Sequence, residues 1–186
     1  LKLLNLCKKN ATERLAQLIN RTWKDSTALK ELQEVLKLDK IPHVIESYDI
    51  SNLAGGENVG AMVVFEDARP LKSSYRKFEI KTVIGQDDYA SMREVISRRL
   101  NEYEELKGKD KGFGRLPDLI LLDGGRGHVA TVRPILEERG FNIPVYGMVK
   151  DSKHKTRAIA EDGGEISIDK RRQVFTLLTK IQDEVH

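Results

Sequence analysis

An acidic residue inside a strand constrains this chain more than any other feature. Val44-Ile45-Glu46-Ser47-Tyr48-Asp49-Ile50-Ser51 is rich in β-branched and aromatic residues and reads as a β-strand. It carries Asp49 within it, and in a central strand a buried carboxylate without a partner is strongly unfavourable. Something must meet that charge. Asp123, at the end of Leu119-Ile120-Leu121-Leu122-Asp123-Gly124-Gly125, is the carboxylate that shares the problem if the two strands lie side by side.

The remaining elements decide whether they do. Residues 1–40 read as a helical pair packed on the main domain. Leu15, Leu18, Ile19 and Trp23 recur at helical spacing, as do Leu29, Leu32, Val35 and Leu36 after a break at Lys24–Thr27. Ser26 or Thr27 is a candidate cap for the second helix, and Pro42 is expected to close it. After the first strand come a turn with Gly55-Gly56, a strand at Val59–Phe65 and another at Tyr75–Val83, an antiparallel meander. Asp87-Asp88 opens a helix to about Leu106, with Met92, Val95, Ile96, Leu100 and Tyr103 on its apolar face. A polar loop, Lys107–Arg115, leads to Leu119–Leu122, whose unbroken apolar character suits a strand covered on both faces. A helix at Val129–Arg139 and a strand at Val145–Val149 follow. Lys150–Gly164 reads as basic and irregular, with a hairpin into Glu165–Ile168. A last helix from about Lys170 turns Val174, Phe175, Leu178 and Ile181 inward. The order β-β-β-α-β-α-β-α predicts an α/β domain over residues 41–186, built on a mixed sheet, with residues 1–40 as a helical appendage. A central first strand with the fourth parallel beside it is the ribonuclease H-like arrangement.

Composition narrows the class. Hydrophobic residues at 39% and charged residues at 33% suit a globular rather than a disordered chain. No apolar run reaches the roughly 20 residues of a membrane span, so no membrane role is expected. The single cysteine, Cys7, excludes an internal disulfide and points to a reducing, cytoplasmic setting. The first residue is Leu1, which suggests a piece of a longer protein. Residues 1–40 hold nine Lys/Arg against five Asp/Glu, a net of +4, while the rest nets −1. Any nucleic-acid partner must therefore be argued from local clusters.

The chemistry gathers at the strand ends. Ligands of open α/β sheets collect at the carboxyl ends of parallel strands, and neighbouring strands lie about 4.8 Å apart. Two carboxylates that close repel by roughly 4 kcal/mol at an effective dielectric near 20, so either one takes a proton or a cation lies between them. Oxygen ligands select a hard ion, Mg²⁺ or Mn²⁺. Taken singly, each aspartate is better explained by ending its strand and binding turn amides; taken together, in this strand order, Asp49 and Asp123 point to metal. Asp87 and Asp88 suit a helix start, but Asp88 shares the stripe of Met92, Val95 and Arg99 and can reach toward Asp49. His186 lies near the inward stripe of the last helix, placed to ligate metal or handle a proton. Gly124-Gly125-Arg126-Gly127-His128 is a weak anion-binding turn. Lys150, Lys153, His154, Lys155 and Arg157 form one basic cluster, and Lys72, Arg76, Lys77 and Lys81 another. Clusters flanking one acidic pocket suit contact with a phosphate backbone.

These residues resemble the UvrC family, endonuclease subunits of bacterial nucleotide excision repair. The resemblance is carried by Glu46-Ser47-Tyr48-Asp49-Ile50-Ser51, Pro70-Leu71-Lys72-Ser73-Ser74-Tyr75-Arg76, Asp87-Asp88-Tyr89-Ala90-Ser91-Met92, Pro117-Asp118-Leu119 through Gly127, and Asp183-Glu184-Val185-His186. It implies the ribonuclease H-like C-terminal nuclease domain, which incises damaged double-stranded DNA on the 5′ side of a lesion. The family's catalytic carboxylates fall on Asp49, Asp88 and Asp123 and its histidine on His186, with Asp49, Asp123 and His186 as metal ligands. The family's GIY-YIG nuclease domain, UvrB-binding segment and helix-hairpin-helix motifs are not recognisable in these residues. Arg126 and His128 stand where the commonest family form has lysine and glutamine. Two other readings remain open on the residues alone: a non-catalytic domain that docks DNA or protein, and another ribonuclease H-like repair nuclease resembling endonuclease V.

Overall fold

The computed structural model describes residues 2–52, 58–109, 112–150, 156–161, 163–168 and 170–186. The chain opens with one long helix, α1 (Lys2–Leu36), where the spacing had suggested two. Lys24–Thr27 contains neither glycine nor proline, and its polar side chains find partners without breaking the helix. The Thr27 hydroxyl donates back to the Trp23 carbonyl at 2.9 Å, and Asp25 accepts from Arg69 at 2.8 Å. Nor does Pro42 end it. The helix stops at Lys37, whose φ of 52° is left-handed, with Leu38 N–H donating to the Gln33 carbonyl at 2.9 Å. Only the last turns dock: Ala28, Leu29, Leu32 and Leu36 are buried, while the helix is exposed through Lys24.

Among the described residues, eight strands form one mixed sheet. They are β1 (Val44–Asn52), β2 (Asn58–Glu66), β3 (Arg69–Pro70), β4 (Arg76–Glu79), β5 (Leu119–Asp123), β6 (Val145–Lys150), β7 (Thr156–Glu161) and β8 (Gly164–Ser167). The order is β3-β2-β1-β5-β6-β7-β8, with β4 also paired to β2. The first strand is central and its partner β5 runs parallel beside it, Tyr48 aligned with Leu122. This is the ribonuclease H-like arrangement expected from the sequence. The third long strand is not there. Tyr75–Val83 gives only β4, because the Lys81 and Thr82 amides turn to the Glu94 carboxylate at 2.9 Å instead of continuing a ladder. In the basic segment, β7 takes up residues expected to be irregular; residues 151–155, and the turn at Gly55-Gly56, lie outside the described residues.

Alternation along β1 splits the core in two. Ile45 joins a cluster with α1 and with α4 (Arg172–Val185), whereas Tyr48 joins one with α2 (Asp88–Leu106) and α3 (Arg126–Glu138). Asp49 therefore points to the α4 face, and Asp123, two residues beyond Leu121, points the same way. Close packing keeps the strand ends together. A side chain at Gly147 would run into the Gly124 carbonyl at the β5–α3 turn, so β6 can pass directly beneath it.

Candidate active site

Three side chains meet at the carboxyl edge of the sheet. One ligand atom each from Asp49, Asp123 and His186 lie within 4.8 Å of one another. β1 and β5 supply the two carboxylates because both strands end there. His186, the C-cap residue that follows α4, supplies the imidazole, its Nδ1 3.5 Å from Asp49 Oδ2 and 3.7 Å from Asp123 Oδ2. The carboxylates are buried, but the His186 side chain is 69% exposed, at the mouth of the site. Burial and, next, the charge of Asp123 push the Asp49 carboxyl above its ordinary range, against the opposing pull of His186, Lys150 and a 3.3 Å hydrogen bond from Ser51. The pocket is short of positive charge.

Asp123 is held at both oxygens. Lys150 Nζ donates to Oδ2 at 2.7 Å and Gln182 Nε2 donates to Oδ1 at 2.8 Å. The Thr156 hydroxyl donates in turn to Gln182 Oε1, which fixes which end of that amide faces the carboxylate. Sequence reasoning missed Gln182 and Thr156. The signal for Gln182 was present: it is the polar residue within the buried stripe Leu178, Ile181, Val185, one turn before His186. Lys150, expected on a phosphate track, is instead committed to Asp123.

Asp88 is not part of this cluster. It begins α2 on the opposite face of the sheet, next to Asp87, which caps the helix by accepting from Ala90 N–H at 2.9 Å. Asp88 accepts from Asn52 Nδ2 at 3.2 Å, so it reaches the strand ends from the other side. Its charge, with that of Asp123, acts on His128. Burial nevertheless holds the His128 imidazole below the usual histidine range. His128 lies against the Tyr89 ring, with centroids 4.7 Å apart.

The basic residues are dispersed. Arg76 faces the α2 side, 4.5 Å over the Phe113 ring and bonded to the Ser73 and Tyr75 carbonyls. Lys77 faces the α4 side: it pairs with Ala61, which pairs with Asp49, placing it level with the site two strands away. Lys72 is 3.8 Å from Glu184, and Lys81 lies beyond the end of β4. Arg126 begins α3 at the surface. Arg157 stands where the β6–β7 register shifts and is paired to Glu165 at 2.9 Å. Lys153, His154 and Lys155 lie outside the described residues.

Comparison with known proteins supplies what the geometry leaves open. Residues 33–186 match the family model described as the UvrC RNAse H endonuclease domain. The chain is 48% identical to the UvrABC system protein C of Acetivibrio thermocellus, covering 100% of this chain and 32% of that protein. It is 44% identical to that of Clostridium novyi, again covering 100% of this chain and 32% of the relative. It thus spans about a third of the length of the curated relatives it matches. Among solved structures, Ciona intestinalis endonuclease V with inosine-containing DNA aligns at a TM-score of 0.42 and 15% identity, over 75% of this chain and 59% of that one. Human ENDOV aligns at 0.40 and 11%, over 77% and 78%.

Proposed function

The chain belongs to the UvrC family, and from that premise we propose that it is the domain making the 5′ incision at damaged double-stranded DNA, as a divalent-metal-dependent endonuclease working with UvrB in the full-length protein. One observation carries the reading: Asp49, Asp123 and His186 converge within 4.8 Å at the strand ends. The donor set fits a metal. Two buried carboxylates and an imidazole, with Asp49 strained toward protonation, form a site that a hard divalent cation such as Mg²⁺ or Mn²⁺ relieves. Asp49 and Asp123 would hold the ion, with His186 as third ligand or proton carrier. When bound, the ion would supply positive charge and Lewis acidity at the scissile phosphate.

The chain's own residues do the rest. Gln182 and Lys150 fix the plane of Asp123, so its position does not depend on the DNA. The exposed His186 imidazole is placed to pass a proton between solvent water and the site. Asp88, at the rim with Asn52, borders the approach from the α2 side. Among the described residues, Lys77, level with Asp49 and exposed, is well placed to meet a neighbouring phosphate; Arg126 and Arg157 are further candidates, and Lys153 and Lys155, outside the described residues, are candidates from the sequence. The test is incision of a lesion-bearing duplex by the full-length protein with UvrB. Asp123→Ala is expected to abolish the 5′ cut and leave the 3′ cut. Retention of the 5′ cut would overturn the reading.

A further inference from the structure

Among the described residues, the large apolar side chains left exposed lie in two places: along α1, and at Ile84 and Tyr89. The second place is the rim of the active site. Asn52 and Asn58 face each other at the ends of β1 and β2; Asn52 donates to Asp88, and Asn58 donates to the Gly85 carbonyl at 2.7 Å. Ile84 and Tyr89 therefore flank Asp87-Asp88 at the strand ends, paired at one rim and not scattered singly over the surface.

Both are held in place. Glu94 ties the start of the Ile84 loop, accepting from the Lys81 and Thr82 amides at 2.9 Å and the Thr82 hydroxyl at 2.6 Å. The buried Asn58 ties its end at Gly85, whose φ of 83° suits glycine, and Ile84 beside it is fully exposed. Ordering a loop to present an isoleucine to water costs chain entropy and buries nothing, so the free protein gains nothing from it. Tyr89 is 46% exposed, and its ring lies against His128. The glycines of the Gly124–His128 turn make room for that pair. A side chain at Gly127 would run into the Tyr89 hydroxyl, and one at Gly124, next to Asp123, would run into the His128 ring. The turn thus seats an aromatic pair beside the site. Lys81 on the loop and Arg93, one helical turn beyond Tyr89, are both exposed and add positive charge to this rim.

We propose that Ile84 and Tyr89 open the DNA base stack beside the scissile phosphate, Ile84 entering as a wedge and Tyr89, backed by His128, receiving an unstacked base on its ring. This rests on the nuclease reading above and adds a contact with the bases to it. Asp49 and Asp123 are buried, so a phosphate of a straight duplex has to be brought down to them. Wedge insertion kinks the duplex and does so. Stacking on an aromatic face tolerates any base, so the pair responds to how easily a step opens and not to its sequence.

The test uses the full-length protein with UvrB on a lesion-bearing duplex with 2-aminopurine next to the 5′ incision point. In an Asp123→Ala background, binding should raise the 2-aminopurine fluorescence, and adding Ile84→Ser or Tyr89→Ser should remove at least about half of the rise. In the cutting protein, each serine variant should slow the 5′ cut at least about tenfold on a paired duplex and keep the 3′ cut. Tyr89→Phe should regain most of what Tyr89→Ser loses. Mismatches that open the duplex at the incision point should bring both serine variants to within about threefold of wild type, a rescue that a folding defect would not show. Because Ile84 is fully exposed, its serine variant should melt with the wild type. Unchanged 5′ cutting of the paired duplex by both serine variants, or no rescue by mismatches, would overturn the proposal and leave the nuclease reading intact. A 5′ cut by Asp123→Ala would overturn both.

Discussion

Replacing Asp49 by asparagine should remove incision and, without metal, stabilise the fold. The two carboxylates offer oxygens no more than 4.8 Å apart, where two unit charges repel by roughly 3–4 kcal/mol at an effective dielectric near 20. Lys150, 2.7 Å from Asp123, offsets most of this, so the net gain from Asp49→Asn should be on the order of 1 kcal/mol. The sign follows from linkage. The folded Asp49 carboxyl titrates above its unfolded value, so ionising it costs stability. That cost is absent below the unfolded value near pH 3.9 and grows as pH rises through the folded one. Urea denaturation in a chelator at constant ionic strength should therefore show Asp49→Asn ahead of wild type at pH 7.5, with the difference shrinking toward zero near pH 4. With Mn²⁺ at about 100 times its dissociation constant the order should reverse, because ligation adds about 2.7 kcal/mol to wild type alone. If Asp49→Asn is clearly less stable than wild type at neutral pH without metal, Asp49 is a structural residue and the repulsion account fails.

Other perturbations follow from the same geometry. Arg99→Met strands Glu46, whose side chain is 5% exposed and accepts from Arg99 at 2.7 Å, and should cost about 3–5 kcal/mol by urea melting, with most recovered in the double variant carrying Glu46→Gln; a loss under about 1 kcal/mol would contradict the pairing. Gln182→Glu sets a third carboxylate against Asp123 and should cut 5′ incision at least about tenfold. Gln182→Met, in contrast, should chiefly lower stability by about 1–3 kcal/mol as Asp123 Oδ1 loses its donor. Lys77→Gln should weaken DNA binding alike on all sequences and reduce its salt slope by about one phosphate contact; an unchanged slope would move the backbone track elsewhere.

The sequence revealed most where a single rule governed. Period-two alternation in Val44–Ser51, together with a buried parallel partner, was enough to bring Asp49 and Asp123 to one edge and one face. His186 stood beside the inward stripe of α4, but its claim came from the fold arrangement and the family resemblance. Failures came where side chains far apart in sequence compete for backbone. The extended reading of Tyr75–Val83 could not anticipate that Glu94, a turn and more into α2, takes the Lys81 and Thr82 amides. The expected break near Lys24 ignored that Asp25 has a partner in Arg69, 44 residues on. Lys150 shows the same limit: charge clustering marked it as basic surface, but only the parallel β5–β6 pairing, with Asp123 opposite Met148, brings its ammonium to Asp123. Asp88 was read from its helical stripe, which shows that it faces the sheet but not that it approaches the strand ends from the α2 side, bonded to Asn52 and outside the Asp49 cluster.

The most direct test of the account is to locate Mn²⁺ by anomalous scattering in crystals of this chain. A peak at Asp49 and Asp123, within reach of His186, is the expected result. A peak on other residues, or none at Mn²⁺ concentrations that sustain 5′ incision by the full-length protein, would contradict it.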